Sequence, residues 1–218
     1  MVVYGEAVNA YESGYGFVFF NGWRFFLVTD EMSENSWESN PATSLQNDVW
    51  THLAATYDGT IDGGSMVKLY KDGVIVDSLA RSGNVDYDHV DDTELLIGKF
   101  KDLQVGVGGF NYFDGQVSEV RLWNIVRNQE KISGFRSWTL NGDEEGLVGY
   151  WKMTKDEDNP TVLEDEVENS NGTCLASGWE NDAPTTLIDL TLLVPDYDTE
   201  ALVGAKIKLR ASINDSNY

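Results

Sequence analysis

The chain has 218 residues, long enough for one large β sandwich or for an ordinary sandwich followed by part of a second module. Its 41% hydrophobic and 12% aromatic content can fill a core and excludes intrinsic disorder. Against 37 Asp and Glu stand only 15 Lys and Arg, a formal charge of −22 that argues against nucleic acid and anionic membrane surfaces as partners, because like charges repel.

Short β-type runs separated by Gly-containing turns dominate the chain, and helical periodicity is almost absent. Gly16–Phe20 and Trp23–Val28 flank Asn21-Gly22, a pair that tolerates positive φ and predicts a tight hairpin. Residues 29–48 are polar, include Pro41, and read as a long loop or a weak edge strand around the isolated Trp37. Asp48–Tyr57 is the next strand, closed by Asp58-Gly59. Met66–Tyr70 and Val74–Asp77 flank Lys71-Asp72-Gly73, a second hairpin. There Val67 and Leu69 share one parity and Lys68 and Tyr70 the other, so one face is expected in the core and the other partly wet.

An acidic loop over Asn84–Asp92 precedes a strand at Glu94–Gly98, and Gly115–Trp123 supplies another. Trp50 and Trp123 are expected inside the sandwich. Asn128 is placed to cap a helix of one or two turns beginning at Gln129. Gly146–Met153 is a further strand, and the main body is expected to end near Pro184. Thr186–Val194 and Ala205–Ala211 are two more β runs around the turn residues Pro195-Asp196-Tyr197-Asp198. Residues 185–218 therefore read as a linker and the start of a second β module, with a closing hairpin of the main domain as the alternative.

The single cysteine, Cys174, cannot form an intrachain disulfide. No apolar run approaches the ~20 residues that span a bilayer, which predicts no membrane insertion. Met1-Val2-Val3-Tyr4-Gly5-Glu6 lacks the basic and apolar regions of a signal peptide, so the expectation is a segment of a longer exported protein.

Trp50-Thr51-His52-Leu53-Ala54-Ala55-Thr56-Tyr57-Asp58-Gly59, followed by Val67-Lys68-Leu69-Tyr70-Lys71-Asp72-Gly73, resembles the centre of laminin G-like, or pentraxin-like, jelly-roll domains. Leu96-Ile97-Gly98, Phe113–Asn124, Gly146–Met153 and the turn Asn169–Thr173 follow in that family's order. The resemblance covers residues 1–184 and implies an all-β, two-sheet antiparallel jelly-roll sandwich of the concanavalin A-like lectin/glucanase superfamily, with 185–218 as a C-terminal β extension. One departure stands out: the family's opening strand, which normally precedes the segment beginning at Val2, is missing. Either the domain is cut short there, or late segments around Leu147 and Leu175 complete the sheets.

Several motifs invite chemical readings. His52 lies between apolar residues of a strand, where a buried, hydrogen-bonded imidazole is favoured over a catalytic base because no nucleophile motif accompanies it. Glu119 and Arg121 share strand parity and read as a charge-balanced patch. Glu164, Glu166 and Glu168 have the two-residue spacing that places carboxylates on one strand face, as a retaining glycosidase needs, but their polar setting without flanking aromatics favours a solvated acidic loop. Asp86, Asp88, Asp91 and Asp92 crowd one loop and could converge on a hard cation; laminin G-like and pentraxin domains often bind calcium in rim loops, which makes Ca2+ the candidate cofactor. Trp37, in an all-polar setting, is a platform for a sugar ring or partner surface, or a cap on the core; Tyr87 and Tyr112 are weaker candidates of the same kind.

The function implied is a non-catalytic, lectin-like or adhesive module, extracellular or cell-surface, that recognises a carbohydrate or cell-surface glycan with possible calcium assistance. The alternative is a structural spacer or protein–protein interaction module, and a glycan-cleaving enzyme ranks third.

Overall fold

The computed structural model describes residues 2–4, 7–8, 10–11, 14–19, 22–31, 37–39, 44–59, 66–86, 95–102, 109–155, 157–167, 170–174 and 205–209. In chain order the strands are β1 (Val2–Tyr4), β2 (Ala7–Val8), β3 (Ala10–Tyr11), β4 (Tyr15–Phe19), β5 (Trp23–Leu27), β6 (Trp37–Ser39), β7 (Trp50–Asp58), β8 (Met66–Lys71) and β9 (Val74–Ala80). They continue as β10 (Leu95–Ile97), β11 (Lys99–Asp102), β12 (Gly109–Tyr112), β13 (Gly115–Ser118) and β14 (Val120–Trp123). After α1 (Gln129–Phe135) come β15 (Leu147–Trp151), β16 (Val162–Leu163), β17 (Gly172–Thr173) and β18 (Ala205–Leu209). The all-β expectation holds.

Two five-stranded sheets, ordered β10-β1-β4-β5-β6 and β13-β18-β7-β8-β9, are antiparallel throughout. Alternation explains why they pack face to face: Phe17, Trp23, Phe25 and Leu27 from one meet Leu53, Val67 and Leu69 from the other in a common core, joined by Val120 and Trp151. The second sheet is prolonged because β13 runs on into β14, which pairs with β15. Glu119 at this junction has φ 58°, a left-handed bend that ends the β13 pairing and re-aims β14.

β4 and β5 form the expected hairpin, but Phe19 stands opposite Trp23, so the connection is residues 20–22, one residue longer than the two-residue Asn-Gly turn the sequence suggested. Residues 37–39 take the weak edge-strand option, pairing with β5 at the margin of the first sheet. In the second hairpin Asp72 and Gly73 have φ 52° and 80°, as a tight Asp-Gly turn requires. That tip is tied back to β7: Asp72 N donates to His52 O at 2.8 Å, and His52 N donates to the Asp72 carboxylate at 3.0 Å. A Cβ at Gly73 would lie 2.7 Å from Ser133 Cα, so α1 seats directly on the turn. Asn128 caps α1 through Lys131 N at 2.9 Å, as its sequence position foretold.

Two expectations need correction. The Lys68 and Tyr70 face is partly wet as expected at Met66 and Lys68, but Tyr70 itself is buried, because Ala54, Tyr70 and Ile132 of α1 form a second core beneath the helix. Trp50 and Trp123 are only half-buried, and the tryptophans that fill the interior are Trp23 and Trp151, 1% and 5% exposed. The first expectation came from strand parity and the second from strand membership, whereas burial depends on which face the helix and the opposing sheet cover. Residues 185–204 and 210–218 lie outside the described residues; Ala205–Leu209 pair inside the second sheet, between β13 and β7.

Candidate functional site

Three arrangements have the chemistry for a role beyond packing. The first is a buried polar network on β14 and β15. The left-handed bend at Glu119 turns its carboxylate onto the Arg121 guanidinium at 2.5 Å, and Tyr150 Oη donates to the same carboxylate oxygen at 2.8 Å. Arg121 also donates to the carbonyls of Phe135 and Trp138, which locks the segment after α1 onto the sheet. Burial, and then the negative Glu119, push the Tyr150 hydroxyl above its ordinary pKa. Glu119 and Arg121 are the charge-balanced pair the sequence suggested, but interior rather than on a surface.

Asp165, from the acidic string, is also interior at 3% exposed. Its carboxylate accepts backbone N–H from Tyr150 at 2.8 Å, Val167 at 3.1 Å and Ser170 at 3.0 Å. Glu164 is exposed and Glu166 is paired with Lys152 at 2.7 Å; Glu168 lies outside the described residues. The solvated-loop expectation is therefore corrected at Asp165, which serves as an internal acceptor for a turn. His52 is buried on β7, with its backbone held by Asp72.

The second arrangement is a rim where residues 28–31 meet 83–86. Thr29 and Val85 form a bridge, Asp30 N donates to Asn84 O at 3.0 Å, and the Asp30 carboxylate accepts from Asn84 N at 2.8 Å and Nδ2 at 3.1 Å. Asp86 N donates to Val28 O at 3.0 Å while Asp86 O accepts from Gly14 N at 2.7 Å. Tyr57 Oη donates to Gly83 O at 2.5 Å, and its pKa is raised by burial first and then by Asp30, Glu31 and Asp58. Asp86 thus opens its acidic loop from a fixed backbone. Tyr87, Asp88, Asp91 and Asp92 lie outside the described residues, and no group of three or more potential ligands capable of holding a metal occurs among the described ones.

Trp37 begins β6 opposite Leu27, and Tyr112 ends β12 opposite Lys99, so the backbone sets them on different sheets. The third arrangement was missed by sequence reasoning. Trp138 is 54% exposed and tilts against Phe135, ring centroids 5.4 Å apart, while its carbonyl is held by the buried Arg121. Its polar neighbours Ser137 and Thr139 are the signal that could have found it, the same signal that singled out Trp37. Nearby in sequence, Arg127 is 2% exposed with its Cζ 4.8 Å from the Trp123 ring centroid, and its Nε and Nη2 make no hydrogen bond. Burial lowers the Arg127 pKa to about 10, opposed by Glu145.

No helix among the described residues is long and apolar enough to cross a membrane. A laminin G family model, described as the concanavalin A-like lectin/glucanases superfamily, matches residues 2–133. Pappalysin-1 of Mus musculus is 27% identical over 162 residues, an alignment covering 68% of this chain and 9% of that protein. The chain thus spans less than a tenth of this relative's length. No solved structure matches it.

Proposed function

The chain belongs to the laminin G-like family of the concanavalin A-like lectin/glucanases superfamily, and from that premise we propose that it is a non-catalytic module recognising a carbohydrate or cell-surface ligand outside the cell. Trp138 carries the proposal: a flat indole, more than half exposed, on a backbone fixed from the interior by Arg121. Such a ring stacks on a sugar face without first having to be ordered. The rim around Asp86, with Trp37, Tyr87 and Tyr112 as further aromatic contacts and Asp88, Asp91 and Asp92 as calcium ligands, is the second surface we assign to recognition.

Three things favour binding over catalysis. Laminin G-like domains are usually non-catalytic. Glu119 and Asp165 are committed to internal partners, and Glu166, the described carboxylate two residues from the exposed Glu164, is paired with Lys152. Release of reducing ends from a β-glucan, abolished by Glu164→Gln, would defeat the non-catalytic reading.

A glycan array probed with and without chelator tests the ligand. Saturable binding that Trp138→Ala abolishes is expected; binding lost through Trp37→Ala alone would move the site to the rim. Silence across the array would favour the second reading, a protein-contact or spacer module, which the match to a small part of a far longer relative supports.

A further inference from the structure

Arg127 lies between β14 and α1, in a loop held at both ends. Asn124 N donates to Gly146 O at 2.9 Å, and Ile125 seats on Gly146, where a Cβ would meet its side chain at 2.6 Å. At the other end Asn128 caps α1. The loop thereby turns the Arg127 side chain inward from a fixed backbone, 2% exposed, with Cζ 4.8 Å from the Trp123 ring centroid.

Nε and Nη2 are the two nitrogens on the side-on edge of a guanidinium, where their N–H bonds run parallel and fit the two oxygens of one carboxylate. In Arg127 both are buried with no acceptor among the described residues, and so is Nε1 of Trp123. One stacked pair of side chains thus holds three buried donors and a positive charge that no acceptor answers. Buried donors are ordinarily satisfied, so such a set points to a missing acceptor. Arg121, equally interior, shows the contrast, since Glu119 and two carbonyls occupy it. Burial lowers the Arg127 pKa to about 10 and the field of Glu145 opposes this, yet Glu145 makes no hydrogen bond to the fork.

The cover over the fork is thin. Val126, Asn128 and Glu145 are all exposed, and the Trp123 ring on which the guanidinium stacks is only half-buried. The charge of the chain selects the ligand. A polyanion would meet repulsion from a body of charge −22 at every other contact, whereas one carboxylate matches one guanidinium.

We infer that Arg127 and Trp123 form a carboxylate-binding site, which takes a single carboxylate carried on an otherwise uncharged ligand. The carboxylate sits bidentate on Nε–H and Nη2–H of Arg127, beside the indole N–H of Trp123. None of the residues assigned above to recognition takes part in it.

Acetate is the probe, titrated into the full-length chain with sodium chloride adjusted to hold ionic strength constant. Binding is followed by the proton–nitrogen NMR signal of the Trp123 indole, assigned by its loss in Trp123→Phe. A saturable shift is expected. Arg127→Lys keeps the charge and loses the fork, so it should weaken acetate binding about tenfold. Glu145→Gln, at an exposed position, removes the nearest competing field and should tighten binding about threefold. Absence of a saturable shift, or sulfate bound more tightly than acetate, would overturn the site. So would an Arg127→Lys affinity within about twofold of the native one, because charge alone would then explain the binding. If Arg127→Lys does not fold, Glu145→Gln decides, and an unchanged acetate affinity in that variant sinks the proposal.

Discussion

Arg121 and Arg127 are both buried guanidinium groups, and their surroundings set opposite expectations for replacing them. Arg121 neutralises the interior Glu119 and satisfies two carbonyls, so Arg121→Met should cost about 3–5 kcal/mol by stranding a charge. Adding Glu119→Leu should recover most of that loss. Arg127 has the Trp123 ring but leaves Nε and Nη2 without acceptors, so Arg127→Met should change stability by less than about 1 kcal/mol, or raise it. Equal denaturant midpoints for the two single variants would refute the distinction. A pH dependence follows from Tyr57, Tyr70 and Tyr150, whose hydroxyl pKa values all lie above the ordinary 10.0 chiefly through burial. The folded state holds these protons longer than the unfolded state, so their contribution is complete below about pH 10 and is lost as pH rises from there toward the folded pKa values. Arg127, lowered to about 10, loses its proton first in the folded state and adds stability over part of that interval. In the Arg127→Met background, urea midpoints should therefore fall from about pH 9 to about pH 11, and Tyr150→Phe should flatten the fall. An unchanged slope would show that Tyr150 is not the buried acid described.

Hairpins and the helix cap were legible in the sequence because they depend on residues near one another. Gly22, Asp72-Gly73 and Asn128 each act within four positions. The site was less legible for the same reason. Trp37 and Trp138 both sit among polar residues, and nothing local says that Trp138 would be fixed through a carbonyl by an arginine 17 positions away. Asp86 likewise shares its acidic composition with the following loop, while its anchoring to Val28 and Gly14 is long-range. That anchoring gives the calcium proposal a definite form: carboxylates at 86, 88, 91 and 92 leave a fixed backbone point and repel unless splayed or bridged. Calcium should raise the melting temperature more than magnesium does, since an irregular oxygen-rich loop suits the larger ion. Identical melting in excess calcium, in chelator and in ionic-strength-matched sodium chloride, unaffected by Asp88→Asn with Asp91→Asn, would reduce the loop to a solvated turn.

For the molecule as a whole, the deciding quantity is which faces the two sheets and α1 cover. Trp23 and Trp151 meet in the shared core, so Trp23→Ala and Trp151→Ala should each cost about 3–5 kcal/mol, and Trp50→Ala, half-buried, distinctly less. Matching midpoints for Trp50→Ala and Trp23→Ala would place Trp50 in the interior after all. The sequence by itself determined the all-β class, the two Gly-tipped hairpins, the capped helix and the family resemblance, because alternation, turn residues and capping are written within a few positions of each other. Only the tertiary structure decided that Glu119 and Asp165 are interior, that Trp138 carries an exposed indole, and that Ala205–Leu209 lie between β7 and β13. Those outcomes depend on long-range strand pairing and on which surfaces meet, and a strand's own residues carry its period but not the identity of its neighbours.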